Sequence, residues 1–571
     1  MSGRRNIARS VLGLLVLVAA PSALHAQPTP AAGAGDPSMA GFGGNPFVGE
    51  APALRAVLVG LFLVLLAATA ETLRARWPEV PRRAAGALLG LTAVSLAVRC
   101  ALSPRNILHE YFHAAETFRG YLIDPWPYPY GDTGPALYRF VRGWTGADER
   151  AVFGTNLVAA ALGPPALALL DLALFRRWSR ALYGAWLLCL LPLHLRFAAS
   201  ESEFPLAVTL ALWSAALLAQ HLDTRRTAPL VGGVAALALA AQTRPELMVL
   251  PLLFAALVPA LVSPRAWRTL LTPRHLAAGV TLAALLYPRY RALRAAPDSP
   301  PFHLANPSLV WDNAVLFQAE VTPVALPLLV VGGGLWALWH RPRAAAWALL
   351  AGVGTLLLYL SFHNNRLVNL RTQSFVMPFF LLLAAGSVTL VEDLLPRRRG
   401  LVRALTAALV VLPVIGLAGR VGFVTARYDQ QQEYDFLRAS VLALPDTEGT
   451  ILTVSNTGGA NNLDAFPLFL LQVHGLGAWR LADLDAAAQR GAWPAARPGL
   501  LFYQGMYCYF SPPLRDAPAS MHSRCLAARQ HYTLRPLRVA SLPGPGYSGL
   551  NYVGGGRGPF EVGFFEVTGE R

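Results

Sequence analysis

The sequence predicts a polytopic α-helical membrane protein of about 12 to 13 spans, closed by a C-terminal exported α/β domain. Three observations predict it. Of its 571 residues, 54% are hydrophobic and 14% charged, far from the balance of a soluble domain. Apolar runs such as 57–70, 152–170 and 344–360 approach or exceed what is needed to cross a hydrocarbon core of about 30 Å. The net charge of +16 is almost all arginine, clustered between those runs. Such clustering is a topology signal and gives no reason to expect nucleic acid as a partner. The runs lack period-2 alternation, so helices are the spanning form, with every backbone polar group paired inside its own segment.

In chain order, Arg4-Arg5, an apolar stretch over 11–20 and Ala23-Leu-His-Ala26 predict a signal peptide over 1–26, or a first span. Residues 27–52, rich in Pro, Gly and Ala, read as a flexible exported linker. The segment 53–418 reads as a multi-span membrane domain. Its spans lie near 53–71, 84–102, 152–175, 181–199, 204–222, 229–243, 247–262, 275–290, 322–340, 344–362, 374–392 and 401–418. Loops 74–83, 176–180, 223–227, 264–275, 341–343 and 396–400 each carry at least two arginines. The alternate loops 103–149, 200–203, 243–246, 291–321 and 363–373 hold most of the acidic, aromatic and histidine residues, although 291–321 and 363–373 are basic as well. The balance predicts a multi-pass protein of a bacterial inner membrane, with the long loops and the C-terminal region in the periplasm.

Residues 419–571 read as a small periplasmic α/β domain, with a helix over 429–444 and strands over 450–454, 500–503 and 560–567. The four cysteines show no zinc-ribbon spacing. Cys100 and Cys189 fall at or in spans, whereas Cys508 and Cys525 can pair if their region is exported.

The exported loop 103–151 carries the densest chemistry. Ser103-Pro104 predicts a helix start and Gly120 its stop. Ile107, Leu108, Tyr111, Phe112, Ala115 and Phe118 share one side at helical spacing; Asn106, His109, Glu110, His113 and Glu116 gather on the other. Such a helix is expected to lie along the membrane surface with its acidic side upward. Trp126, Tyr128 and Tyr130 follow in a Pro-rich turn, where rings suit a sugar face, a headgroup or an interfacial belt. Asp132 follows them, and Tyr138 opens the next helix.

His109-Glu-Tyr-Phe-His113 also matches H-E-x-x-H, which sets two imidazoles on one helical face beside a glutamate base. A membrane zinc metalloprotease with His109 and His113 as metal ligands is therefore the alternative function. Its third ligand is not evident, because Glu116 lies only three residues beyond His113. A transporter would predict charged or broken helices near the midplane, and these spans are mostly free of charge.

The stretch from Leu102 through His109-Glu110, Ala114 to Gly120 and Tyr128-Pro-Tyr-Gly-Asp-Thr-Gly-Pro-Ala-Leu-Tyr138 resembles the GT-C superfamily of integral-membrane glycosyltransferases. The likeness is to the branch of protein O-mannosyltransferases and aminoarabinose transferases. It continues in Leu191-Pro-Leu-His194 before Ser200-Glu-Ser-Glu203, in Thr243-Arg-Pro-Glu246, and from Arg371 to Pro378. Where that family usually carries Asp, often as Asp-Glu, this sequence has His109-Glu110. The resemblance implies a transferase moving a hexosyl or pentosyl group from a polyprenyl-phosphate donor to a protein, lipid or glycan acceptor, among membrane lipids. It assigns the catalytic carboxylate to Glu110. Substrate contacts would come from His109, His113, Glu116, Tyr128, Tyr130, Asp132 and Glu203. Arg244, Arg366 and Arg371 would hold the phosphate through forked hydrogen bonds, although snorkelling to headgroups also accounts for arginines there. Glu201 and Glu203 suit an acceptor, a cation or the start of a helix. No cofactor is required by these residues, and a divalent metal is compatible with them.

Overall fold

The computed structural model describes residues 51–107, 111–123, 131–295, 325–362, 370–427, 429–453, 465–505, 508–509, 521, 523–542 and 560–571. The expected leader and nearly all of the expected linker lie outside them.

Each of the expected spans falls on helix. Among the described residues six helices are long and apolar enough to cross a bilayer alone: Pro52–Glu79, Arg82–Leu102, Ala151–Phe175, Phe204–Thr224, Ser374–Leu394 and Arg399–Ala418. Two bent pairs would add two more spans: Trp178–Cys189 with Pro192–Ala198, and Pro264–Leu270 with Pro273–Arg291. The remaining expected spans are shorter apolar helices, Thr227–Ala241, Leu247–Leu261, Leu326–His340 and Pro342–Leu357. The chain is thus a polytopic helical membrane protein.

Burial sorts these helices. Phe204–Thr224 and Ser374–Leu394 are 83% buried along their apolar windows and form the middle of the bundle, while Arg399–Ala418 is only 11% buried and lies at its edge. Small residues set the closest approaches. A Cβ on Gly333 would lie 2.2 Å from the Leu383 carbonyl oxygen and one on Gly386 2.3 Å from the Gly333 carbonyl oxygen, so helix Leu326–His340 and the span Ser374–Leu394 meet backbone to backbone. The bend between Trp178–Cys189 and Pro192–Ala198 follows from Pro192, which opens the second helix and ends the hydrogen-bonded ladder of the first.

The C-terminal part holds a five-stranded mixed sheet in the order β2-β1-β3-β5-β4, made of β1 Gly449–Thr453, β2 Trp479–Asp483, β3 Leu500–Gln504, β4 Tyr532–Leu542 and β5 Phe560–Glu570. β1 pairs in parallel with β2 and β3; β5 runs antiparallel to β3 and β4. Helices Asp429–Val441, Ala465–Val473, Leu484–Arg490 and Ser523–His531 accompany the strands. Cys508 and Cys525 are joined by a disulfide across a Cα–Cα distance of 5.6 Å.

Two expectations for the exported loop are corrected. No helix starts at Ser103-Pro104: Ser103 spends its hydroxyl on the Leu195 carbonyl, and Asn106 forms a parallel bridge to Ser200. Both groups that would begin a helix are therefore occupied across the chain, and the described loop helix is Tyr111–Leu122. Nor do its described apolar residues, Ile107 and Phe118, face lipid. Phe118 is fully buried and stacks on Tyr434 at 6.2 Å and against Phe469 at 5.5 Å, while Ile107 joins the same apolar cluster as the sheet. The C-terminal part supplies the apolar surface that covers these two residues.

Candidate active site

The sequence builds one end of the bundle by interrupting helices with prolines. Pro205 opens helix Phe204–Thr224, leaving Ser200 to Glu203 as a turn just before its N-terminus. Asn156 secures that turn, its carboxamide donating to the Ser200 and Ser202 carbonyls at 2.8 and 2.9 Å. The Tyr138 hydroxyl holds Asn156 in turn at 2.8 Å. Glu201 and Glu203 are both buried, at 0% and 2% exposure.

Glu203 precedes its own helix but makes no side-chain cap there. Its carboxylate lies instead against the first turn of helix Thr133–Thr145: a Cβ on Gly134 would stand 2.1 Å from Glu203 Oε1. Only glycine admits so close an approach, and the helix N-terminus favours negative charge there.

Asp132 occupies the residue before that helix and also makes no cap. Its Oδ1 accepts from Arg55 Nε at 3.2 Å, and both residues are buried. Gly131 brings this segment onto the end of helix Thr227–Ala241; at φ +152° a Cβ on it would lie 2.1 Å from the Gln242 carbonyl oxygen. Thr133 completes the seam with a hydroxyl bond to the Leu239 carbonyl at 2.8 Å.

Arg244 comes next along that chain. Pro245 forces it into an extended conformation, φ −152° and ψ 146°, so the helix cannot continue. Its guanidinium lies over the Phe204 ring at 4.5 Å from the centroid, with the residue 6% exposed. Asp132, Glu201, Glu203, Arg55 and Arg244 thus gather, buried, on segments that meet at one end of the bundle.

Of the site residues expected from the sequence, the structure brings Asp132, Glu203 and Arg244 together. His109, Glu110, Tyr128, Tyr130 and Arg366 lie outside the described residues. His113 and Glu116 fall on the backbone of helix Tyr111–Leu122, and Arg371 on the first turn of Leu370–Ala384. Sequence reasoning missed Arg55, Asn156 and Gly134. Arg55 carried a signal, as the only charge within an apolar run that closes on Ala70. Asn156 and Gly134 carried none, since their partners are distant in sequence. Among the described residues no three His, Cys, Asp or Glu side chains gather as a metal site would need.

No family model matches the chain, and no curated protein matches it in sequence. Solved structures do match in fold. The apo crystal structure of ArnT from Cupriavidus metallidurans matches with a TM-score of 0.52 at 13% identity, covering 84% of this chain and 98% of that one. The structure of ArnT from the same organism bound to undecaprenyl phosphate matches with a TM-score of 0.50 at 12% identity and the same coverage. At such identities the likeness is one of fold: this chain has the fold of ArnT, an aminoarabinose transferase of the GT-C group that the loop motifs resemble. The metalloprotease reading finds no support in these neighbours.

Proposed function

We propose that the chain is a GT-C-type glycosyltransferase of the bacterial inner membrane, moving a hexosyl or pentosyl group from a polyprenyl-phosphate donor to a protein, lipid or glycan acceptor at the periplasmic face. The observation that carries this reading is the buried set of Asp132, Glu203 and Arg244 at one end of a bundle with the fold of ArnT. That ArnT has been solved with undecaprenyl phosphate bound supports a lipid-phosphate donor. Export of the C-terminal region, 419–571, is supported by its disulfide, because thiols stay reduced in the cytosol.

In this mechanism Glu110 removes the proton of the acceptor hydroxyl as its oxygen attacks the anomeric carbon. The bond from that carbon to the phosphate oxygen breaks, and the polyprenyl phosphate leaves with the bonding pair. Arg244, Arg366 and Arg371 stabilise the charge that develops on it. Asp132 and Glu203 orient sugar or acceptor hydroxyls, with His109, His113, Glu116, Tyr128 and Tyr130 lining the approach.

Transfer assays on the purified chain with a polyprenyl-phosphate sugar donor test the reading. Glu110→Gln is expected to reduce turnover by about a hundredfold or more, with unchanged folding, whereas His113→Ala stays within about tenfold of wild type. Equal and severe loss in both variants, together with stoichiometric zinc, would favour the H-E-x-x-H reading instead.

A further inference from the structure

At the opposite end of the bundle lies a cavity of about 220 Å³ that the proposed transfer chemistry does not use. Its distance from the acidic cluster can be counted on two helices. Helix Ala51–Arg76 carries Arg55 near one end and Arg76, which lines the cavity, at the other; helix Phe204–Thr224 begins beside Glu203 and ends at Asp223, also in the lining. Some twenty residues at 1.5 Å each separate the two places by about 30 Å, the thickness of a hydrocarbon core.

The cavity has two kinds of wall. Leu73, Leu88, Leu169, Leu172 and Ala173 make the inner part apolar. At the rim stand two cations and two anions, Arg76 and Arg176 with Glu79 and Asp223. They are already cross-linked: Arg176 reaches Asp223 at 2.5 Å, while Arg76 lies 3.6 Å from Asp223 and 3.3 Å from Glu79. Trp77, Trp178 and Trp213 complete the lining, the residue type that favours the interface between headgroups and chains. Gln220 also lines the cavity at 6% exposure, and its Oε1 takes no hydrogen bond among the described residues. A buried acceptor without a donor is costly, and a ligand that donates to it would remove that cost.

We infer that this cavity is a binding site for one zwitterionic glycerophospholipid of the leaflet opposite the proposed active site, its phosphate on Arg76 and Arg176 and its ammonium on Asp223 and Glu79. The charge pattern selects the class. With two cations and two anions at the rim, a zwitterion meets an opposite charge at each of its ends, while a purely anionic headgroup would compete with Asp223 and Glu79 for the same arginines. The ammonium also supplies the donor that Gln220 Oε1 lacks, in a lining that includes three tryptophans, whose rings attract cations. The apolar inner wall takes the first part of an acyl chain. The volume is below the roughly 300 Å³ at which pockets begin to enclose a whole drug-sized ligand, so the remainder of the tails stays in the bilayer. The site is separate from the proposed active site and stands without it.

Native mass spectrometry of the full-length, delipidated chain, reloaded from vesicles of equal parts phosphatidylethanolamine and phosphatidylglycerol, tests the inference. One retained phosphatidylethanolamine per chain is expected, favoured over phosphatidylglycerol by about tenfold or more, as a charge-assisted contact implies. Arg176→Gln removes the phosphate contact and Leu172→Trp fills the apolar wall. Each is expected to abolish the preference while keeping wild-type elution and thermal midpoint. If Arg176→Gln fails to fold, Leu172→Trp still decides, since it leaves every charge in place. Equal retention of the two lipids, no retained lipid on folded wild type, or a preference surviving in Leu172→Trp would overturn the inference. Soluble phosphoethanolamine binding as tightly as the lipid would also overturn it, by assigning the site to a free metabolite.

Discussion

Arg55 is a cation within the apolar run that opens the bundle, and its pairing with Asp132 sets two buried charges at the mouth of the candidate site. Desolvating both costs several kcal/mol, so the pair is tolerated only while each has its partner. Removing one partner leaves the other buried without this ion pair. Arg55→Leu is therefore expected to lower stability in detergent by about 3 to 5 kcal/mol, and the double variant with Asp132→Leu to recover part of that loss. Denaturant unfolding of the four proteins of the cycle measures it; purely additive losses would mean that the two charges are held by other groups. Glu203 teaches a related lesson. Its position before Phe204–Thr224 suggests a helix-capping charge, yet it makes no cap and sits beside Gly134 of another helix.

At the scale of elements, helix Asp429–Val441 and the end of helix Ala465–Val473 are tied to the membrane bundle through Glu149, two residues before helix Ala151–Ala161. Glu149 is fully buried. Arg438 Nε donates to its Oε1 at 2.6 Å, the Tyr434 hydroxyl donates to the same oxygen, and the His474 imidazole stands 3.3 Å from Oε2. Burial pushes this carboxyl upward, but His474, Tyr434 and Arg438 favour the charged form and together bring it down to about 2. The same burial, with the Glu149 charge alongside, pushes the Tyr434 hydroxyl well up, so it remains a donor throughout the physiological range. A depressed carboxylate stabilises the folded state above its unfolded value and loses that contribution as pH falls toward its folded value. The latch should therefore be complete above about pH 4.3 and fade between there and about pH 2, a contribution of about 3 kcal/mol. Limited proteolysis across that range measures undocking. Glu149→Gln should shift undocking toward neutral pH and weaken the acid dependence to that of Asp148, which also pairs with Arg438, and a variant that stays docked would show that Phe118 stacking on Tyr434 and Phe469 suffices.

The bundle as a whole has two unlike ends. One gathers Asp132, Glu201, Glu203 and Arg244; the other gathers Arg76, Arg176, Asp223 and the cavity of about 220 Å³. The arginine-rich loops belong to the second end, which the proposed topology places in the cytoplasm. Reporter fusions test the orientation directly. Alkaline phosphatase joined after Arg571 should be active and the same enzyme joined after Arg343 inactive, and the reverse pattern would invert the proposed topology.

The sequence by itself determined the class of the protein, the positions of its apolar helices and the presence of a C-terminal mixed α/β region, because these depend on local composition and period. Hydropathy needs no partner to be read, and prolines at 192, 205 and 245 mark their breaks wherever the chain is folded. β1, β3 and β5 were legible for the same reason. β4 was not: Pro536 interrupts its alternation, and only its place at the sheet edge, with register shifts at Thr533/Leu534 and Pro536/Arg538, makes that proline tolerable. At the site, the acidic and basic residues could be picked out, but not their pairing of Asp132 with Arg55, of Glu203 with Gly134, or of Asn156 with the turn it holds. Those contacts join segments tens of residues apart, and their energy comes from excluding water around groups that meet only when the bundle closes. Tertiary structure decided likewise that Phe118 of the loop helix packs on helices of the C-terminal part, since which apolar surface lies nearest is a property of the assembled molecule.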